Sequence, residues 1–381
     1  MRKPPGCVVV RTDIPFGNAC DVSVTASKDI TEIEFAADPH GGPEALWFCL
    51  RVETGSRPPK RLRLTLKHAH NMLGCGTLPA LRPVTRTKER DWERLGAPDV
   101  TDLPDGRRLA SWSLDAPKGF LDVALCYPYG PDDVDALVRE TDGYWTADVI
   151  GVSPSARPIV CLSNDPGAKG SARPGVYLVA RQHSGETPGS WVLDGFLRHV
   201  ATLGGAAPVV RAIPLSNIDG VVQGDYGKDN FPYDLNRAWG AVPMRHETHV
   251  IQRDVRRWRE RCKGLLGIDF HAPGGTESVG VYAFLPDPGK LPDAHKSSLA
   301  WAAAMAESLT PEFAAKEFGR VATYASRWET PTFARFFCET LHVDGVSIET
   351  SYALAGERVL TREDYREIGA RVARAVMSRI S

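Results

Sequence analysis

Hydrophobic and polar positions change rhythm part-way along this chain. Up to residue 127, short apolar and β-branched runs occupy residues 8–11, 21–26, 30–36, 46–52, 61–67, 109–114 and 120–127. Turns rich in Gly, Pro and Asp separate them, as at Asp38-Pro39-His40-Gly41-Gly42-Pro43. Several runs alternate strictly, for instance Arg61-Leu62-Arg63-Leu64-Thr65-Leu66, the pattern of a strand with one face on a core and the other in water. Strands of this number and length predict a β-sandwich of about 125 residues. Pro131 then opens a helix through residues 132–140, which Thr141-Asp142-Gly143 ends, and this helix marks the join. Beyond residue 145 strands and helices alternate. Strands are expected at 159–162, 177–180, 209–215, 265–270, 279–285 and 343–349, and helices at 190–203, 246–261 and 294–309. A final helix is capped by Thr361 with Asp364 in a capping box. Alternation of this kind predicts an α/β layer fold whose ligand site lies outside the ends of central strands. Two domains are therefore expected: an all-β sandwich over residues 1–130 and an α/β domain over residues 131–381.

Composition narrows the function. A chain of 381 residues with 43% hydrophobic and 24% charged content is ordinary for a soluble globular protein. Its net charge of -1 provides neither a basic field for nucleic acid nor a polybasic patch for a membrane. No apolar run approaches the ~20 residues of a membrane span, so none is expected. The start, Met1-Arg2-Lys3-Pro4-Pro5-Gly6-Cys7, lacks the apolar stretch of a signal peptide. The 8 cysteines are scattered without a Cys-x-x-Cys, which argues against a disulfide scaffold or a thiolate metal site and for a reducing, cytoplasmic setting.

Candidate chemistry collects where the α/β strands should end. The apolar run 175–180 leads into His183-Ser184-Gly185-Glu186, with Thr187 as expected cap and Pro188 as expected first helical residue. A His and a Glu three residues apart can converge on one ion, and both suit zinc; the same spacing also occurs in ordinary surface loops. The run 265–270 ends in His271, which is either a third ligand completing a His2Glu set or a strand-end histidine satisfied by its neighbours. Three protein ligands would leave one coordination position open, as in catalytic sites. Gly345-Val346-Ser347-Ile348-Glu349 delivers a carboxylate, either a general base or an ion-paired residue at the core edge. It lacks the last glycine of a nucleophile elbow, which disfavours a serine hydrolase. Asn236 beside Arg237 suits the forking of a carboxylate, or else a structural salt bridge. The irregular stretch 216–235 is too long for a mere connection and is expected to build a site.

His183-Ser184-Gly185-Glu186-Thr187, Asn217-Ile218-Asp219-Gly220-Val221, Asp234-Leu235-Asn236-Arg237, Asp269-Phe270-His271 and Ile348-Glu349 occur in the order seen in zinc carboxypeptidases of the M14 family, and together they are specific. Ser190-Trp191, Gly195-Phe196-Leu197 and an N-terminal β-region carrying Trp47-Phe48, Arg82-Pro83-Val84 and Tyr127-Pro128-Tyr129 make the chain resemble the cytosolic carboxypeptidase branch over nearly its whole length. The resemblance implies a mixed-sheet α/β catalytic domain behind an all-β sandwich. It also implies one zinc ion per chain on His183, Glu186 and His271, with Glu349 assisting the attack of zinc-activated water on a C-terminal amide bond. Asn236 and Arg237 are implied to clamp the free carboxylate of a peptide or small amide substrate.

The branch usually carries Gly-Asn-Tyr-Arg where this chain has Gly224-Asp225-Tyr226-Gly227, so Gly227 falls on the arginine that polarises the carbonyl oxygen, and Lys228 is the adjacent candidate. No motif fixes the family's mobile tyrosine, for which Tyr324 is the candidate. Residues 320–335, with Arg320, Arg327 and Arg335, are expected to line a specificity pocket. Two other function classes are compatible with these residues: a zinc amidohydrolase of a small non-peptide metabolite, and a non-catalytic zinc-binding assembly protein.

Overall fold

A computed structural model describes residues 8–27, 29–55, 58–323 and 328–380. The alternating N-terminal runs form two five-stranded sheets. One is ordered Val9–Arg11, Cys49–Glu53, Phe120–Ala124, Val84–Thr87 and Glu93–Arg94; the other is ordered Cys20–Ala26, Ile30–Ala36, Arg61–Leu66, Arg108–Asp115 and Asp99–Asp102. Leu62, Leu64 and Leu66 are buried while Arg61 is exposed and Arg63 half-buried, as the alternation requires. Thr65 departs from it, being buried with its hydroxyl 3.0 Å from that of Ser111 on the neighbouring strand. The strands at 84–87, 93–94 and 99–102 were not expected, because at two to four residues they are too short to show a period.

The third sheet is nine-stranded and mixed. Its centre is four parallel strands in the order Val209–Ile213, Pro174–Ala180, Lys263–His271 and Asp344–Ala355, flanked by antiparallel neighbours. The central strands are continuous apolar runs because helices cover the sheet. Thr187–Ala201 and Arg362–Ile380 pack together beside it, and Thr361 and Asp364 exchange backbone-to-side-chain bonds of 2.8 and 3.1 Å in the expected capping box. Strand Ala314–Val321 forms the sheet's far edge. Helix Phe333–Thr340 packs on the central strands Lys263–His271 and Asp344–Ala355, with Phe337 against Gly267 and Ala334 against Gly345.

Two local expectations change. The helix at 187 begins on Thr187 itself and Glu186 holds the cap position, while the Thr187 hydroxyl is buried without a partner. Glu186 makes no capping bond because its carboxylate is turned toward two imidazoles. The stretch 216–235 is not wholly irregular either, since Asn217 caps a short helix, Ile218–Gln223. Among the described residues no helix is long and apolar enough to cross a membrane, and the seven described cysteines are free.

Candidate metal centre and active site

His183 and Glu186 lie just beyond the end of the strand Pro174–Ala180, and His271 ends Lys263–His271. Glu349 instead lies within the strand Asp344–Ala355, which runs past its expected end at 349, and Asn236 and Arg237 lie on the short turn Leu235–Arg237. Arg181 turns the chain out of the first of these strands in a left-handed conformation (φ 61°). Its buried guanidinium then braces the loop, donating to the Ser184 carbonyl at 2.7 Å and the Tyr129 carbonyl at 3.0 Å. This delivers His183 and Glu186 to the strand end. His271 closes the neighbouring strand, and Glu349 lies directly opposite it in register on the next. In parallel strands such a pair shares one face.

His183, Glu186 and His271 are buried and offer ligand atoms that all lie within 4.8 Å of one another. His183 Nδ1 is 2.9 Å from Glu186 Oε1, and His271 Nδ1 is 2.7 Å from Glu186 Oε2. Burial would raise the Glu186 carboxyl, but the charges of His183 and His271 overcome it and hold the group well below the usual carboxylate range. The opposite ring nitrogens face carboxylates: His183 Nε2 is 3.1 Å from Asp234 Oδ1, and His271 Nε2 is 2.6 Å from Asp269 Oδ2. Asp269 is held in turn by Gln182 Nε2 at 2.6 Å, and Gln182 accepts from the Trp239 indole at 2.7 Å. Imidazoles whose far nitrogens rest on buried carboxylates, with their near nitrogens converging on a third carboxylate, have the arrangement of metal ligands. The residues present therefore fit a borderline cation such as zinc. Asp234 and Asp269 stood in the quoted motifs without a role, and Gln182 was not singled out from sequence. Asp269 had a signal, since two residues along a strand returns to the same face as His271.

A cavity of about 480 Å³ opens beside this cluster, and His183, His271, Glu349, Arg237, Lys228 and Asn236 are among its walls. Glu349 presents an oxygen, Oε2, that is buried without a hydrogen-bond partner. Removal from water pushes its carboxyl up to about 7, with His271 and Lys228 pulling down and Glu186 pushing up. Arg237 is half-buried, and its Nη1 donates to the Asn236 carbonyl at 2.9 Å. Asn236 Oδ1 accepts from the Phe333 amide at 3.0 Å, and Nδ2 lies 2.9 Å from His271 Nε2, whose hydrogen is already directed at Asp269. Both members of the expected clamp, Asn236 and Arg237, are among the walls of the cavity.

Residues 321, 322, 328–330, 332, 334 and 335 line the same cavity. Arg335 is paired with Glu339 at 2.8 Å, and Arg320 lies over the Tyr282 ring near Glu277. Tyr324 and Arg327 fall outside the described residues.

Lys228 is half-buried in the cavity wall, and its charge reaches Glu349. Gly227, by contrast, cannot be exchanged for the arginine of the related motif. It adopts φ +83°, and a Cβ there would lie 2.7 Å from the Ser184 backbone nitrogen and closer still to its hydroxyl. Gly227→Ala should destabilise the protein by about 2–4 kcal/mol, from a left-handed non-glycine residue together with overpacking. Gly227→Arg should do worse. Urea unfolding checks this, and an unchanged midpoint for Gly227→Ala would mean that the loop yields.

No family model matches the chain. It is 28% identical over 252 residues to cytosolic carboxypeptidase 6 of Homo sapiens, covering 60% of this chain and 50% of that protein. Cytosolic carboxypeptidase 6 of Mus musculus is 28% identical over 220 residues, covering 52% of this chain and 40% of that protein. The chain thus spans half or less of these relatives' length. Among solved structures, a metallo-carboxypeptidase from Burkholderia cenocepacia superposes with a TM-score of 0.76 at 17% identity, covering 97% of this chain and 98% of that one. That likeness is one of fold.

Proposed function

Because the chain is cytosolic carboxypeptidase-like in sequence and metallo-carboxypeptidase-like in fold, we propose that it is a cytoplasmic zinc carboxypeptidase that removes the C-terminal residue of a peptide or protein. We take residues 131–381 as the catalytic domain and residues 1–130 as a β-sandwich domain attached to it. The observation that carries the reading is the convergence of His183, Glu186 and His271 at parallel strand ends, with Glu349 in register beside His271.

His183, Glu186 and His271 would hold the ion, with Asp234 and Asp269 fixing the two imidazoles. Zinc, when bound, supplies Lewis acidity that polarises a carbonyl and acidifies water. Glu349, on the cavity wall with an unpartnered oxygen, takes a proton from the attacking water and returns it to the leaving amine. Arg237 holds the substrate's terminal carboxylate by charge-assisted hydrogen bonds, which makes the activity that of an exopeptidase. Asn236, its Oδ1 fixed by the Phe333 amide, stands beside Arg237 on the cavity wall and offers its amide hydrogens to the same carboxylate.

Lys228 stands for the missing arginine. Donors aimed at a developing oxyanion supply about 10²–10³ in rate each. Lys228→Met should therefore lower kcat by about 10²-fold with KM nearly constant, as loss of a contact made only in the transition state does. Steady-state kinetics on a good substrate decide it, and an unchanged kcat would leave the oxyanion without Lys228.

The test of the whole reading is metal analysis of the purified chain, followed by mass spectrometry of a mixed peptide library after incubation. The expected result is one zinc per chain, products shortened by one residue from the free C-terminus, and sparing of amidated peptides. Metal without turnover of any carboxylate-ended peptide would overturn it, as would equal cleavage of amidated ones.

A further inference from the structure

The loop that carries Lys228 into the cavity is held from outside the α/β sheet. Between Gly224 and Asp234 the chain has little regular structure, and Gly224, Gly227 and Asp229 all adopt positive φ. Its beginning is fastened to the N-terminal sheets. Asn18, which is 1% exposed, donates through Nδ2 to the Gly224 carbonyl at 2.8 Å and to the Asp38 carbonyl at 2.8 Å. Its Oδ1 accepts from the Asp38 amide at 2.8 Å, and its backbone pairs with Cys49. One asparagine thus ties three segments, and all its side-chain bonds are made within the protein. One residue further, Asp225 Oδ1 meets His40 Nδ1 at 2.7 Å. The two backbones also pack closely, since a Cβ on Gly224 would lie 2.7 Å from the Phe16 carbonyl and closer to that of Gly17. Past these points the loop touches the metal-site segment, where Gly185 donates to the Tyr226 carbonyl at 2.9 Å.

We propose that Asn18 and His40 are positioning residues, through which the N-terminal sheets hold the loop of residues 224–230 and so keep Lys228 in the active-site cavity. Neither residue lines that cavity. They act through the backbone of Gly224 and the side chain of Asp225, three or four residues ahead of Lys228. This gives the β-region a part in catalysis and rests on the assignment of Lys228 above only for its kinetic consequence.

Asn18 is buried deeply enough that its variants could fail to fold, so the test uses His40, which is partly exposed at φ 47°. Asp and Asn both tolerate that left-handed backbone. Only Asn keeps a donor where Nδ1 stands, whereas Asp sets a second anion against Asp225. In the full chain, His40→Asp should speed hydrogen exchange of the amides of residues 225–230 by roughly tenfold or more, the scale of one charged hydrogen bond. Amides of the central strands should be unaffected. The same variant should lower kcat roughly tenfold with KM within about twofold, and His40→Asn should restore both readouts. Placed on Lys228→Met, His40→Asp should lower kcat no further. Unchanged exchange at residues 225–230 in His40→Asp would overturn the proposal, as would an undiminished kcat loss on the Lys228→Met background. A normal kcat in Lys228→Met alone, with exchange still accelerated by His40→Asp, would remove Lys228 from catalysis and leave the holding of the loop established.

Discussion

Glu349→Gln should retain its zinc and lose roughly 10²–10⁴ in kcat, the usual worth of a general acid–base group. The side chain is placed by the sheet itself. Its strand pairs with Lys263–His271 over six consecutive positions, so Glu349 cannot shift relative to His271 without breaking that register. One carboxylate oxygen is buried with no protein partner, an arrangement that costs stability and that a role in proton transfer explains. A glutamine has the same shape and cannot accept the proton from water. Substrate should still bind, so KM should change little, and the melting temperature should stay level or rise as a desolvated carboxylate becomes a neutral amide. Metal content, melting temperature and kcat measured on one preparation separate these effects. A variant that turns over within about threefold of the parent would place the proton transfer on another residue.

The site was more legible in the sequence than the frame around it, for physical reasons. His183, Glu186, His271 and Glu349 stand at the ends of apolar runs, and a buried parallel strand announces itself by such a run. Where the run stops, the site begins. The same logic reached Asp269 in principle, since it shares a strand face with His271. Asp234 was out of reach, because only the folded loop brings it to His183 across 51 positions. Thr187 looked like a cap because its residue type suits one, but the carboxylate of Glu186 competes more strongly for the imidazoles than the helix end competes for it. Asn236 was legible as a neighbour of Arg237, but the bond that fixes its Oδ1 to the Phe333 amide, 97 positions away, was not. The strand Thr146–Val152 and the helix Phe333–Thr340 were missed for different reasons. The first is a solvent-facing edge strand without an apolar face, and the second is eight residues long and aromatic, too short to establish a helical period. Gly227 carried a signal that its position in the motif concealed. Its φ of +83° demands glycine, so the arginine of the related motif is excluded by this backbone and not merely absent.

Removing a metal ligand should have the largest effect of all, and in graded form. Three protein ligands cannot spare one, so His183→Ala, Glu186→Ala and His271→Ala should each leave the protein without stoichiometric zinc after dialysis and reduce activity to background. Asp269→Asn should be milder. It leaves the ligand atoms in place and weakens only the 2.6 Å contact that orients His271, so a 10–100-fold loss of zinc affinity is expected, as for other partners of metal-binding histidines. The gradient discriminates because a merely structural cluster would not order its variants this way. If the three residues only packed against one another, their removal would show in stability and leave bound metal unaltered. Glu186→Ala should do both. It strips away a buried carboxylate lying between two imidazoles at 2.9 and 2.7 Å, so the metal-free protein should lose about 3–5 kcal/mol in addition to its zinc. Competition against a chelator gives the affinities and urea unfolding of the metal-free form gives the stabilities. Full zinc retention in His271→Ala would remove that residue from the centre. The ion would then have to rest on the His183–Glu186 loop alone, two ligands where the register of the sheet brings a third within reach.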